Sequence, residues 1–285
     1  MTEYFVIGNP IEHSISPQIH NIIFEYYGSD SRYDKLLVEK EDLKQLVEDF
    51  RKEGKGFNVT VPHKSSIIPC LDGISKEARL VDAVNTVVKK SGLVIGYNTD
   101  IQGFALQVKR AGCTFKNARV KIVGAGGAAG AIAYAAYSGG ARIITVYNRT
   151  LVNAEKIIDM LYKASAKQDT GCEFYAKPLS DFEPGFCDLL INATSVGLGK
   201  GHEEEMPVKN LDGILPHTVV FDLIYNPAKT RFMREAEKHG NITHNGLDML
   251  IYQAVIANDI WCGYGAAENK ELTDEIRRQL LNRKE

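Results

Sequence analysis

The sequence is poor in the features that point to disulfide bonds, a structural zinc ion or a membrane. Its 285 residues include five cysteines, scattered and without a CxxC pair, and a single tryptophan. That spacing favours buried or incidental thiols over disulfides or a zinc site. We find no apolar run long enough to cross a bilayer and no secretory leader pattern. We therefore expect a cytoplasmic protein that uses no metal.

An excess of charge of either sign is also missing. The formal net charge is −2, from 34 Lys and Arg against 36 Asp and Glu. This balance gives no electrostatic reason to expect nucleic acid or an anionic membrane as a partner. A hydrophobic content of 44% and a charged content of 25% are ordinary for a soluble globular protein, and the length allows two domains. We expect a small molecule as the partner, with no nucleic acid and no membrane.

What the sequence does have is a glycine-rich stretch between a strand pattern and a helix pattern. An apolar, β-branched run at residues 119–123 stops at four glycines within residues 124–130, and a small-residue helical pattern follows. In this order Gly124 permits a tight turn, Gly126 lets phosphates reach the backbone, and Ala129 lets the helix pack closely on the strand. A second apolar run arrives where a βαβ unit needs it. The pattern predicts a bound dinucleotide, with its pyrophosphate on the helix N-terminus.

The residues after the second strand bear on the choice of dinucleotide. An NAD site usually places a carboxylate here to hold the ribose 2′-hydroxyl, whereas this chain has Asn148, Arg149 and Thr150. The planar fork of Arg149 suits a 2′-phosphate. The alternative is a simple surface arginine, but its position favours NADP. Later strands, at residues 188–192 and 219–223, end in polar loops that we expect to line the ligand crevice.

The first hundred residues alternate α and β patterns without a second nucleotide loop, which predicts a separate α/β domain. Ser16, followed by a proline, is predicted to cap a helix, and so is Asp100. Ser14 has no such structural task, and the two serine hydroxyls could grip a carboxylate or a polyol. Lys64 is by default a solvated lysine. His63 is interpreted as a structural or surface histidine rather than a metal ligand.

The C-terminal part carries two helical patterns. The first begins near Gly246 and continues through Trp261, and its apolar character predicts packing between other elements. Gln253 lies among its apolar residues, either as a buried amide satisfied internally or as a ligand contact. The second pattern, from about residue 272 to 282, is charged and is expected to be solvated on one face.

Together these segments resemble the shikimate dehydrogenase family, including the quinate/shikimate dehydrogenases, over essentially the whole chain. The motifs that carry the resemblance are residues 14–17, 58–64, 83–86, 96–100, 124–129, 148–150, 192–197, 225–227 and 246–250, with Gln253. The resemblance implies a two-lobed α/β fold with the reaction in the cleft. One lobe is an N-terminal substrate domain of residues 1–102, against which C-terminal helices of residues 248–285 pack. The other is a Rossmann NADP-binding domain of residues 103–247.

The resemblance also implies an activity and a site. The activity is the NADPH-dependent, reversible reduction of 3-dehydroshikimate to shikimate in aromatic amino-acid biosynthesis, by a monomer or homodimer. Lys64 and Asp100 are the implied catalytic acid/base pair, the ammonium donating a proton in reduction and the amine accepting one in oxidation. The implied substrate-binding residues are Ser14, Ser16, Thr60, Asn85, Tyr225 and Gln253. The implied cofactor-binding residues are Gly124, Ala125, Gly126, Gly127, Ala128, Ala129, Asn148, Arg149, Thr150, Thr194 and Gly246.

Three departures and three alternatives accompany this interpretation. Leu198 replaces a common methionine after the loop of residues 194–197, which should matter little. Asp82 stands where we expect a glycine, and Asn153 stands where many NADP-using members carry a second basic residue. The alternatives are a quinate/shikimate dehydrogenase that uses NAD or NADP, a non-catalytic shikimate-binding sensor, and another small-molecule dehydrogenase that shares the Rossmann domain. Retention of Lys64 with Asp100 argues against the sensor. The paired serines before the first helix argue against an unrelated dehydrogenase.

Overall fold

The computed structural model of the chain describes residues 3–166, 171–199 and 201–282. The chain forms two compact units. The first unit comprises residues up to Gly103 together with residues from Leu250 on, and the second runs from Phe104 to Met249. The unit boundaries therefore fall inside two helices. Among the described helices, none combines the length and the apolar character that a membrane span requires.

Helices and strands alternate along most of the chain. The strands are β1 (Tyr4–Gly8), β2 (Tyr33–Leu37), β3 (Gly56–Val59), β4 (Gly73–Ile74), β5 (Thr86–Lys90), β6 (Leu93–Tyr97), β7 (Arg119–Val123), β8 (Ile143–Asn148), β9 (Glu173–Pro178), β10 (Leu189–Asn192), β11 (Val219–Asp222) and β12 (Thr243–His244). The helices are α1 (Ser16–Tyr26), α2 (Leu43–Glu53), α3 (Lys76–Leu80), α4 (Asp100–Arg110), α5 (Ala129–Ser138), α6 (Leu151–Ser165), α7 (Arg231–Lys238), α8 (Leu247–Cys262) and α9 (Lys270–Asn282).

The first unit contains a mixed sheet with the strand order β2-β1-β3-β5-β6-β4. Strand β5 pairs antiparallel with both of its neighbours, and the remaining pairs are parallel. The β5–β6 hairpin turns at Ser91 and Gly92, which have φ angles of 51° and 81°. Two positive φ angles in a two-residue hairpin loop follow the twist of the flanking strands.

Strand β1 is buried along its whole length because both faces of the sheet are covered. On one face Phe5 and Ile7 join a cluster with residues of α2 and β3. On the other face Tyr4 and Val6 pack against Phe24 of α1 and Trp261 of α8. Helix α8 is thus part of the core of the first unit, although it lies far along the chain from β1.

The strand directions bring several chain segments to one edge of this sheet. Strands β1, β3 and β6 run the same way, so their carboxyl ends meet there, and β5 starts at that edge because it runs the opposite way. We call this the carboxyl edge of the first sheet. Loops at the carboxyl ends of parallel strands are the usual place for a ligand in an open α/β sheet.

The second unit contains a sheet with the order β12-β11-β10-β7-β8-β9, in which every described pair is parallel. Chain order reverses between β7 and β10, which is the doubly wound arrangement of a Rossmann fold. The core beside it includes Val123, Leu190, Val220 and Phe232. The predicted α/β class and the Rossmann domain are confirmed. At the point of reversal the loops after β7 and β10 lie next to each other.

The predicted cap at Ser16 is wrong. Helix α1 begins at Ser16, Ile15 occupies the N-cap position, and no side chain caps the first turn. Ser14 has a local structural role instead, because its Oγ accepts a hydrogen bond from the backbone N–H of Ser16 at 3.3 Å. The side chain that would accept these N–H groups belongs to the N-cap residue, and Ile15 has no polar atom in its side chain. The hydroxyl of Ser16 is therefore not used as a helix cap.

Candidate active site

Lys64 and Asp100 form an ion pair at the carboxyl edge of the first sheet. Lys64 follows β3, and Asp100 begins α4 directly after β6, so the two strands bring them together from 36 positions apart. Lys64 Nζ lies 2.6 Å from Asp100 Oδ2, and the two side chains are only 16% and 8% exposed. The default of a solvated surface lysine does not apply. Water screens such a pair less than one on the surface.

The second carboxylate oxygen of Asp100 is also taken. Asn85, at the start of β5, donates from Nδ2 to Asp100 Oδ1 at 2.8 Å. The predicted helix cap at Asp100 is therefore wrong, because the carboxylate accepts from Lys64 and Asn85 rather than from the first turn of its own helix. The carbonyl of Thr99 accepts the N–H of Gly103 instead. Each oxygen of Asp100 thus has a separate donor, which fixes the orientation of the carboxylate.

Thr99 ties this pair to Gln253 of α8. Asn85 Oδ1 accepts the backbone N–H of Thr99 at 2.8 Å, and the Thr99 hydroxyl lies 3.4 Å from Gln253 Oε1. Gly103 allows the approach, because a Cβ there would lie 2.9 Å from the backbone nitrogen of Gln253. Gln253 Nε2 donates to the carbonyl of Leu250 at 2.9 Å, which leaves its second hydrogen without a partner among the described residues. No role for Thr99 was predicted from the sequence pattern, because Gln253 is 154 residues away.

Ser14 and Thr60 lie at the same edge, in the loops that follow β1 and β3, and Ser16 follows the first of these loops as the first residue of α1. Thr60 donates its backbone N–H to the carbonyl of Ile7, at 2.9 Å. A Cβ on Gly8 would come within 2.6 Å of Thr60 Cγ2, so the loops after β1 and β3 approach closely. The first unit therefore presents hydroxyl groups, an amide and an ammonium–carboxylate pair at one sheet edge. This combination suits a polyhydroxylated acid that also carries a reacting oxygen.

Buried hydrogen bonds between polar groups hold the residues of this edge in place. The Tyr33 hydroxyl donates to Asn58 Oδ1 at 2.6 Å, and burial raises the pKa of Tyr33 well above its usual range. Asn58 Nδ2 donates in turn to the carbonyl of Asn85 at 2.9 Å. His63 is buried, and its Nε2 lies 2.8 Å from the carbonyl of Val38, which fits a structural histidine. Tyr33 was not singled out by sequence, because its partner Asn58 is 25 residues away.

Metal-type ligands do not cluster in the described part of the chain. Within residues 3–166, 171–199 and 201–282, no group of three or more His, Cys, Asp and Glu side chains is arranged to hold a metal ion. The five cysteines are free thiols, and Cys187 is buried.

The glycine-rich loop of the second unit has the shape that a pyrophosphate needs. Gly124 has a φ of 103°, and a Cβ on it would lie 2.7 Å from Thr194 Cγ2. Gly127 is exposed and has open space where its Cβ would be. Helix α5 begins at Ala129, and its N-cap residue, Ala128, offers no side-chain cap. The free N–H groups of the first turn therefore fit a bound anion.

A buried carboxyl, Asp222, holds the loop that faces Gly124. Its Oδ1 accepts from Asn192 Nδ2 at 3.0 Å, and its Oδ2 accepts from the Thr230 hydroxyl at 2.6 Å. Asn192 Oδ1 accepts both the N–H and the hydroxyl of Thr194, at 3.0 and 2.7 Å. Desolvation raises the pKa of Asp222 to about 6, against these hydrogen bonds. Asp222 closes an apolar run in the sequence, but its partners could not be identified there.

The remaining predicted residues of the second unit lie at the ends of β8 and β11. Arg149 is exposed just after β8 and lines a depression of about 550 Å³. Asn148 Nδ2 donates to the carbonyl of Thr150 at 2.9 Å, which shapes the turn around Arg149. Gly246 admits no side chain, because a Cβ there would lie 2.0 Å from the carbonyl oxygen of Leu223. Tyr225 belongs to this unit, whereas the other predicted substrate residues belong to the first.

Comparisons with known proteins give the family. The family described as the shikimate dehydrogenase substrate binding domain matches residues 6–87. The shikimate dehydrogenase (NADP(+)) of Alkaliphilus metalliredigens is 38% identical over 259 residues, which cover 90% of each chain. The solved structure of shikimate 5-dehydrogenase from Listeria monocytogenes, in complex with shikimate and NAD, has a TM-score of 0.87 at 35% identity and covers 98% of this chain and 96% of its own. A ligand-free 5-ketofructose reductase of Gluconobacter sp. strain CHM43 has a TM-score of 0.85 at 33% identity, with 97% and 98% covered.

Proposed function

This chain belongs to the shikimate dehydrogenase family, and from that membership we propose that its site reduces 3-dehydroshikimate to shikimate with NADPH, reversibly, in aromatic amino-acid biosynthesis. The observation that carries the proposal is the Lys64–Asp100 pair, with Nζ and Oδ2 2.6 Å apart at the carboxyl edge of the first sheet. Reduction of a ketone needs a proton donor for the developing alkoxide. The Lys64 ammonium is that donor.

The proton moves at one atom, Lys64 Nζ. In reduction the ammonium gives a proton to the oxygen that was the ketone, and in oxidation the amine takes the proton of the hydroxyl. Asp100 orients Lys64 by accepting from its Nζ, while Asn85 donates to the other carboxylate oxygen and prevents rotation. When bound, NADPH supplies the hydride that reaches the ketone carbon.

We assign substrate binding to the first unit, with Tyr225 added from the second. Ser14 and Ser16 hold the carboxylate, and Thr60, Asn85 and Gln253 bind ring hydroxyls. Asn85 also donates to the Thr99 hydroxyl and to Asp100, and it therefore orients these two side chains as well. For the residues of the first unit, support comes from their placement around one sheet edge, and the family match over residues 6–87 covers Ser14, Ser16, Thr60 and Asn85.

We assign NADP to the second unit. The residues from Gly124 to Ala129 hold the pyrophosphate on the N-terminus of α5, Thr194 lies beside them, Asn148, Arg149 and Thr150 contact the 2′-phosphate, and Gly246 lies near the nicotinamide. The supporting observations are the open space at Gly127 and the uncapped first turn of α5.

We further propose that the enzyme works in the cytoplasm as a monomer or homodimer. A small acid and a soluble cofactor are the only partners that this reaction requires. Size-exclusion chromatography with light scattering distinguishes the two assembly states.

The test of the activity is a set of initial rates followed by nicotinamide absorbance. Shikimate and quinate are each assayed with NADP and with NAD. Turnover confined to shikimate with NADP supports the proposal, whereas comparable rates with quinate or NAD indicate the broader enzyme. Binding without turnover in every combination indicates a sensor instead.

The test of the mechanism is Lys64→Ala, with Lys44→Ala as the matched control, because Lys44 is an exposed lysine of the same unit. General acid catalysis by one side chain is worth about 10²- to 10⁴-fold, so we expect kcat to fall by that factor while shikimate still binds. Calorimetric titration of the variant with shikimate tests whether it is folded and still binds this ligand. Near-normal turnover in Lys64→Ala removes the lysine from the mechanism.

A further inference from the structure

The sequence offers one cation, Arg149, at the expected 2′-phosphate position, and Asn153 provides no second one. The structure places another cation beside the same depression of about 550 Å³. Its lining includes Arg149, Leu179, Met206, Pro207, Val208 and Lys209. Lys209 lies 60 residues further along the chain, so no motif around the strand end of β8 includes it.

We propose that Lys209 supplies the second positive charge that selects the 2′-phosphate of NADP, across the depression from Arg149. The proposal rests on the proposed function, because it assumes that NADP is the cofactor of the second unit. The ribose phosphate carries a charge of about −1.5 to −2 at neutral pH, if it titrates as a phosphate ester does. Such an anion is suited to two cations from different chain segments.

The backbone on both sides of the depression is anchored in the core. Pro207 and Val208 are buried directly before Lys209. Val208 and Leu211 belong to the cluster around Leu190, and the partly buried side chains of Leu179 and Met206 pack against the same cluster. Lys209 therefore extends from a fixed segment. A fixed segment loses less conformational entropy on binding a ligand than a free loop does.

The three glutamates that precede Lys209 in the sequence form no ion pair with it in the described part of the chain. Glu204 pairs with Arg234 at 2.5 Å, and Glu205 pairs with Nδ1 of His202 at 2.7 Å. Glu203 accepts the backbone N–H of Gly201 at 2.8 Å. In the regions of the chain that the structure describes, neither Arg149 nor Lys209 has a carboxylate within ion-pair distance. Both cations are thus available to an anionic ligand.

The start of α6 adds to the positive character of this region. The N-cap residue of α6 is Thr150, directly after Arg149, and its side chain caps no backbone N–H. Free N–H groups in a first helical turn favour a nearby anion. This contribution assists the two cations, which carry the selectivity.

The experiment measures binding of adenosine 2′,5′-bisphosphate and of 5′-AMP to the full-length protein by calorimetry, without turnover. We expect Lys209→Ala to weaken the bisphosphate about two- to fivefold and 5′-AMP less than twofold, since an exposed charge contributes modestly. Arg149→Ala should weaken the bisphosphate more, because its guanidinium binds phosphate with two hydrogen bonds. Lys209→Arg should restore most of the affinity. The loss in Lys209→Ala should shrink as salt rises from about 0.05 to 0.5 M.

The matched control is Lys163→Ala, which removes the same charge from the exposed surface of α6. Lys163 lies twelve residues beyond the first residue of α6, which is about 18 Å along the helix axis. It should leave both affinities unchanged.

The outcomes separate this proposal from the one on which it rests. If the unmodified protein binds the bisphosphate no more tightly than 5′-AMP, the assignment of NADP to this unit fails. If the unmodified protein discriminates and Lys209→Ala discriminates equally well, the role of Lys209 alone is refuted. An equal loss for both ligands in Lys209→Ala also refutes it, because the lysine would then not sense the 2′-phosphate.

Discussion

The buried carboxyl of Asp222 predicts a pH-dependent stability that one amide substitution removes. Burial raises its pKa from an ordinary value of 3.8 to about 6 in the folded protein. A raised folded-state pKa means that the native protein binds the proton more tightly than the unfolded chain does. The stability contributed by this group is therefore fully present below about pH 4 and is lost as the pH rises to about 6. The difference of about two pKa units corresponds to roughly 3 kcal/mol.

Asp222→Asn keeps the shape and removes the titration. Its Oδ1 can still accept from Asn192 and from the backbone N–H of Ile224, whereas its Nδ2 must donate to the Thr230 hydroxyl, which now has to turn its own hydrogen elsewhere. That rearrangement costs about 1 kcal/mol at all pH values. Relative to the unmodified protein, the variant should therefore gain about 2.5 kcal/mol between pH 4, where most of the contribution is present, and pH 7.5.

The assay is urea unfolding followed by far-UV circular dichroism at matched ionic strength. Asp212→Asn is the control, because Asp212 is an exposed aspartate of the same unit. If the free energy difference between Asp222→Asn and the unmodified protein is the same at pH 4 and pH 7.5, the desolvated carboxyl does not titrate in this window and the reasoning is refuted.

Two further predictions concern the stability of variants that add or remove a single side-chain atom. Gly246→Ala should lower the free energy of unfolding by about 3 kcal/mol or more, because the new Cβ would lie 2.0 Å from the Leu223 carbonyl oxygen. The control is Gly127→Ala, whose Cβ meets nothing within 4 Å, and it should melt like the unmodified protein. Equal melting temperatures would contradict this. Tyr33→Phe leaves Asn58 Oδ1 without its 2.6 Å donor and should cost about 1–3 kcal/mol in chemical denaturation; an unchanged midpoint would show that Asn58 finds another donor.

The sequence predicted best where function and local pattern coincide. The glycine-rich loop, the following helix and the hairpin turn each depend on residues within a few positions of one another, and each appears as expected. Asp82 is a second case in which a local requirement of the backbone could be predicted. We expected a glycine there, and Asp82 has a φ of 49°, in the left-handed region where glycine is favoured. An aspartate tolerates this conformation better than most residues do.

The sequence predicted worst where a side chain had a distant partner. Asp100 and Ser16 both have the local sequence pattern of helix caps. The carboxylate of Asp100 instead accepts from Lys64 and Asn85, and α1 begins at Ser16, one residue before the predicted start. Local preferences contain no information about a partner 36 residues away. Lys209 is the same case, since only the folded sheet brings its segment beside Arg149.

The position of Trp261 has a consequence for how the protein emerges during synthesis. Its ring packs on Tyr4 and Tyr33, and its indole N–H donates to the carbonyl of Val87 at 2.9 Å. The second unit is continuous in sequence, whereas the first needs residues from Leu250 on. On the ribosome, the second unit can therefore complete its fold before α8 has been synthesised and has covered one face of the first sheet. An incomplete chain that stops before Trp261 lacks the ring that packs on Tyr4 and Tyr33, which leaves part of their surface for chaperones to recognise.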